Sequence, residues 1–225
     1  MVRATVMAGI FLFAGTIAAP AFTAKVGSNT TLNLPVPKGF CELSNSDPSE
    51  KRMLTILGKN AELNGNTILT ISADCKQLAA WDAAKRKLLD DLANYQVSSK
   101  LIDKPPEPIH STCEVLRSQG DQLTKEQTAE KQKNLATLSK ELAINSEKFA
   151  GVLDEDANAC YAAFLQKIHT EIGTDRVTMT ILVITAVKQQ TVFFYRQGLY
   201  ADSDPSDKLL AHAKETVAAL YAANR

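Results

Sequence analysis

VTMTILVITAVKQQTVFFYRQGLY, residues Val177 to Tyr200, sets two β-branched and aromatic runs on either side of the polar tripeptide Lys188-Gln189-Gln190. That pattern predicts a long antiparallel hairpin. In its first arm, Met179, Ile181, Val183, Thr185 and Val187 share one face, and Thr178, Thr180, Leu182, Ile184 and Ala186 share the other. Both faces are largely apolar, which suits a strand inside a sheet rather than at its edge.

Downstream, Asp204, Pro205 and Asp207 form a strong helix start: an N-cap, a proline at the first helical position and an acid in the first turn. The predicted closing helix runs to about Ala223 and buries Leu209, Leu210, Ala213, Val217, Leu220 and Tyr221.

Upstream lies a segment of different character, about residues 105 to 172. Pro105, Pro106 and Pro108 interrupt regular structure, and Gln122 to Lys148 is rich in Lys, Glu, Gln, Ala and Leu. Leu135, Leu138 and Leu142 give it only a thin apolar stripe. A polar helix is predicted there, with a second helix over Asp154 to Glu171 carrying Cys160, Tyr161, Phe164, Leu165 and Ile168. Together they are expected to form an inserted helical hairpin, whose leucine stripe is a possible partner surface.

Earlier still, Leu32, Leu34 and Val36 alternate before a proline turn and predict a first strand at a sheet edge. Arg52 to Leu57 and Thr67 to Ala73 read as a second hairpin through Asn64-Gly65-Asn66. Asp74 is expected to cap a helix over Lys76 to Tyr95 with Trp81 on its apolar stripe, and Gln96 to Ile102 to form a short strand.

The N-terminus predicts a destination. Arg3 precedes the uncharged run Val6 to Ala19, and Ala19-Pro20-Ala21 has small residues where signal peptidase reads. The apolar run falls short of the ~20 residues of a spanning helix. A signal peptide over residues 1 to 21 is expected, cleaved after Ala21 or alternatively Ala24. One α+β domain would follow over 22 to 225, periplasmic or secreted. Cys41, Cys75, Cys113 and Cys160 fit an oxidising compartment. Four cysteines allow three connectivities; Cys41–Cys75 with Cys113–Cys160 is preferred because each bridge joins segments near in sequence.

Strand, hairpin, helix, insertion, hairpin and closing helix, in that order, describe an antiparallel sheet with helices packed on it, an α+β fold. A proline-bounded first strand followed by Gly39-Phe40, a late long hairpin and the closing TVAALYAAN helix resemble the Mog1/PsbP-like α/β/α proteins in element order. That resemblance implies a non-catalytic, partner-binding protein and carries over no functional residue.

The residues offer little chemistry. The 225 residues include 25 acidic and 25 basic ones, so no net field recruits nucleic acid. His110 falls in a proline-rich loop, and His169 and His212 on predicted helices without HxxxH or HExxH spacing. No GxSxG elbow and no CxxC pair occurs. Asp154-Glu155-Asp156 and Asp202, Asp204, Asp207 could hold Ca²⁺, but are better explained as acids at helix starts. No cofactor or metal is expected. An exported, non-enzymatic protein that binds a protein partner or ligand in the envelope fits best. The competing expectations are an envelope hydrolase with a dispersed site and an envelope assembly factor.

Overall fold

The computed structural model describes residues 21–138, 142–170, 175–200 and 205–225. At its centre, β8 (Asp175–Val187) and β9 (Gln190–Leu199) pair antiparallel, with Thr178 opposite Leu199 and Val187 opposite Gln190. Lys188 and Gln189 make the turn at φ 48° and 64°. Two successive left-handed residues match the twist of the flanking strands. The predicted hairpin is therefore present.

Around it, β3 (Phe40–Glu42), β4 (Asn66–Asp74), β5 (Leu92–Ser98), β6 (Leu142–Glu155) and β7 (Ala159–Thr170) complete a seven-stranded sheet of order β3-β4-β5-β9-β8-β7-β6. Every neighbouring pair is antiparallel. A separate ribbon pairs β1 (Ala21–Val26) with β2 (Thr30–Pro35). The helices are α1 (Pro48–Leu63), α2 (Cys75–Asp82), α3 (Ile109–Leu138) and α4 (Pro205–Ala223). The class is α+β, as expected.

Three expectations need correction. Arg52 to Leu57 is the middle of α1, not a strand. The short apolar run fits either period, and the Asp47-Pro48 start decides it: the Asp47 carboxylate accepts from the N–H groups of Ser49 and Glu50 at 2.8 and 3.1 Å. The helix expected over Lys76 to Tyr95 ends at Asp82, just before Ala84 takes φ 55°, and Leu92 to Ser98 forms β5. The inserted helical hairpin is a helix followed by a β-hairpin. α3 starts at Ile109 and ends at Leu138, and the segment expected as a second helix, Asp154 to Glu171, turns at Asp156 into β7. Asp156 Oδ1 accepts from the N–H groups of Asn158 and Ala159 at 2.8 and 2.9 Å, the local bond set of a turn. The insertion thus lengthens the sheet.

One sheet face carries the main core. Ala93, Tyr95, Ile181, Val183, Val192 and Phe194 pack against Leu209, Ala213, Val217 and Leu220 of α4 and Ala24, Val26, Leu32 and Leu34 of the ribbon. Truncating any of the fully buried large residues there would cost about 2–5 kcal/mol. The ribbon is tied to the end of α4 by a side-chain amide acting as a strand. Asn224 Oδ1 accepts from the Asn33 N–H at 2.9 Å, and its Nδ2 donates to the Asn33 carbonyl at 2.7 Å. A smaller core, Leu43, Ile71, Ala73, Leu78 and Leu89 with Met53, Leu57 and Trp81, holds α1 and α2 on the opposite face at the β4 end.

The preferred disulfides are the ones formed. Cys41–Cys75 joins β3 to the start of α2, and Cys113–Cys160 joins α3 to β7. In the chain-entropy account each contributes about 3–4 kcal/mol. The expected signal peptide, residues 1 to 21, lies outside the described residues save for Ala21.

Candidate functional site

The period of two along β5 and β9 shows how unequally the two sheet faces are covered. On the α4 side, Ala93, Tyr95, Val97, Val192, Phe194 and Arg196 are buried; Asn94, Gln96, Ser98, Thr191, Phe193, Tyr195 and Gln197, pointing the other way, are only half-buried. Register places them together: Asn94 lies opposite Tyr195, Gln96 opposite Phe193, and on the far side Leu182 opposite Tyr195 and Ile184 opposite Phe193. α1 and α2 pack at the β4 end of this face and α3 at the β6–β7 end. α1 and α3 also contact each other and α3 reaches β8, so the strip of amides and aromatic rings lies partly beneath them and ends at Leu199, which is 44% exposed.

Its polar groups are partly paired and partly not. Asn66 Nδ2 donates to Gln96 Oε1 at 3.2 Å, and Gln96 Nε2 donates to Asn94 Oδ1 at 2.8 Å. Gln166 Nε2 donates to Glu147 Oε1 at 2.8 Å. Thr178 and Thr180, 2% and 7% exposed, have hydroxyl oxygens with no partner among the described residues. Buried hydroxyls are nearly always bonded, so two adjacent orphans on one face are unusual. Thr180 stands between Phe164 and Gln197, and Thr178 between Gln166 and Leu199. Burial, with a smaller contribution from the Glu147 carboxylate, pushes the Tyr195 phenol above its ordinary range, so it remains a neutral donor.

The residues singled out from sequence lie elsewhere. Leu135 and Leu138 are in α3, and Leu142 opens β6; their side chains lie outside the described set, so the expected leucine stripe is not placed. His110 is in the first turn of α3 rather than a loop, and His169 is in a strand rather than a helix. His212 is on α4 and exposed. His110 and His212 lie on different helices and share no contact among the described residues.

Asp154, Glu155 and Asp156 are at the end of a hairpin, not at a helix start as expected, and each is engaged. Asp154 pairs with Lys214, which also lies 5.5 Å over the Tyr161 ring. Glu155 accepts from Arg117 at 2.8 Å and bonds His110 Nδ1 at 2.8 Å. Asp156 accepts the Tyr161 hydroxyl at 2.9 Å. Asp207 lies in the first turn of α4 as expected, while Asp202 and Asp204 are outside the described residues. Asp47, Glu50 and Asp82 bring carboxylate oxygens within 4.8 Å of one another. Asp47 caps α1 and Glu50 accepts from the Ser44 N–H, so two of the three are committed to the helix start.

Glu155 belongs to a clamp that sequence reasoning missed. It lies opposite Cys160 across the β6–β7 hairpin. His110 and Arg117 sit three residues before and four after Cys113, on the same helix face. The disulfide and both ion pairs thus fasten α3 to one spot on the hairpin. The His110 bond, and then Arg117, hold the Glu155 carboxyl below the ordinary carboxylate range, while Glu155, then Glu114, raise His110. A second unforeseen network is buried at the other end of β9. Arg196, 4% exposed, stacks 4.5 Å over Phe40 and donates to Asp91 Oδ1 at 2.8 Å. Gln77 Nε2 donates to the other Asp91 oxygen at 2.6 Å, and Asp90 receives Arg86 and Arg176.

No protein-family model matches the chain, and no curated protein matches it. Among solved structures it is similar to the Ran-binding protein Mog1p of Saccharomyces cerevisiae, over 86% of this chain and 87% of that one. Identity is 7% and the TM-score 0.34, so the likeness is weak. No helix among the described residues is long and apolar enough to cross a membrane.

Proposed function

We propose that this is an exported, non-enzymatic binding protein of the cell envelope, periplasmic or secreted, and that it takes a protein partner on the half-covered sheet face. One observation carries the reading. Asn94, Gln96, Phe193, Tyr195 and Gln197 form a half-buried strip of amides and rings on one sheet face, where the opposite face of the same strands is buried. Aromatic rings supply contact area at low entropic cost, and side-chain amides satisfy peptide groups of either polarity. The two disulfides support an oxidising compartment.

The test is affinity capture from the exported fraction with three proteins: wild type, a Phe193→Ser/Gln96→Ser variant, and a Glu215→Ser variant on exposed α4. A specific partner retained by wild type and Glu215→Ser but lost by the face variant supports the reading, provided all three melt alike. A partner retained by all three places binding elsewhere.

A further inference from the structure

At the turn end of the central hairpin, three connections converge on an open surface pocket of about 410 Å³, the β1–β2 turn, the linker after β5 and the β8–β9 turn, and of its lining only Gln190 is buried. Ser28, Asn29, Asp103, Lys104, Gln189 and Gln190 line it, with Pro105 as its apolar element. This site is distinct from the half-covered face and does not depend on it.

Its backbone is left-handed at four positions, costly at the three that are not glycine. Gly27, Asp103, Lys188 and Gln189 all have positive φ, at 64°, 59°, 48° and 64°. A two-residue turn of this kind favours Asn-Gly, yet here it carries two long side chains. Lys188 accounts for itself, since its Nζ donates to the Thr31 carbonyl at 3.0 Å and ties the turn to β2. Gln189 has no partner among the described residues and lines the pocket wall. Gln190 is 5% exposed; its Oε1 accepts from the Asp103 N–H at 3.4 Å, and its Nε2 has no partner among the described residues. The Asp103 carboxylate packs over Gly27 so closely that a Cβ there would lie within 3.0 Å of three of its atoms. Gly27 is therefore required for more than its φ.

We propose that this pocket binds a neutral saccharide. Asp103 and Lys104 cancel in charge, so nothing in the lining selects an ion. Asn29 and Gln189 each present a donor and an acceptor, Gln190 presents its Nε2 donor, and Ser28 presents both on one atom, which is the complement of vicinal hydroxyls. Pro105 offers a small apolar face to ring C–H groups. The volume falls within the range of about 300–1,000 Å³ typical of ligand pockets.

The test uses ¹⁵N-labelled, disulfide-intact protein titrated with maltose, cellobiose and N-acetylglucosamine, and separately with glycine and acetate. At least one saccharide is expected to shift the side-chain amide signals of Gln189, Gln190 and Asn29 saturably, while glycine and acetate do not. Gln189→Gly removes a lining side chain and relaxes the turn. It should raise the melting temperature yet weaken saccharide binding at least fivefold, which separates lost binding from lost folding. Asn29→Ala should weaken it as well. The proposal is overturned if no saccharide shifts these signals, if the shifts survive both substitutions undiminished, or if glycine or acetate produces the larger effect.

Discussion

The ring of Phe149 on β6 fills the space that a side chain at residue 120 of α3 would need: a Cβ on Gly120 would stand within 3.0 Å of three ring atoms. Phe149 in turn packs on Phe164 at 5.4 Å between centroids. The helix can approach the hairpin this closely only because residue 120 has no side chain.

Gly120→Ala should therefore destabilise by up to about 2 kcal/mol net, an overpacking cost of about 1–3 kcal/mol outweighing the ~1 kcal/mol that alanine gains in a helix. Gly58, inside α1, has open space around it: no atom lies within 4 Å of where a Cβ would stand, and Gly58→Ala should stabilise by roughly 1 kcal/mol. Denaturant melts of the two variants should move in opposite directions. Equal signs would contradict the close approach of α3 to Phe149.

The clamp at Glu155 makes α3 docking depend on pH. His110 is raised, so its contribution is fully present below the ordinary imidazole value of 6.5 and lost as pH rises through its folded value. Glu155 is lowered, so its contribution is present above the ordinary 4.5 and lost as pH falls through its folded value. Both hold between about 4.5 and 6.5. His110→Gln should lower the melting temperature more at pH 5.5 than at pH 8.5. A shift of the same size at both pH values would show that His110 acts through packing rather than charge. The effect should be small, because His110 is exposed.

On the proposed export reading, the ribbon constrains where the signal would be cut. β1 pairs from Ala21 opposite Pro35 to Val26 opposite Thr30, and Ala24 is buried in the core. Cleavage after Ala21 keeps this strand from Phe22 onward, whereas cleavage after Ala24 removes four of its six residues. The intact mass of the exported protein should correspond to Phe22–Arg225. A chain begun at Lys25 should be less stable by at least about 1 kcal/mol, from lost ladder bonds. Mass spectrometry and melts of both forms check this, and a stable native form beginning at Lys25 would contradict it.

Much of the fold was legible in the chain where both periodicity and end signals agreed. The hairpin of β8 and β9 and the closing helix α4 met both conditions. The same helix start that marks α4, Ser203-Asp204-Pro205-Ser206-Asp207, occurs almost unchanged as Ser46-Asp47-Pro48-Ser49-Glu50 before α1. There the run Arg52 to Leu57 is β-like by itself, yet the capping bonds form as the motif implies. β7 was harder. Cys160, Tyr161, Phe164, Leu165 and Ile168 satisfy a helical stripe, and only the Asp156 turn and the long-range pairing with β6 and β8 make them a strand. The candidate face was not legible at all. It is assembled by register among β5, β8 and β9, and single residues such as Gln96 and Thr180 carry no local mark of it.

The most direct measurement places a photo-cross-linking amino acid at Phe193, on the half-covered face, and in a parallel protein at Ala218, exposed on α4, in cells exporting the protein. A discrete adduct from position 193 and none from 218 is the predicted result. No adduct from 193, or the same adduct from both positions, would contradict the assignment of that face as the binding surface.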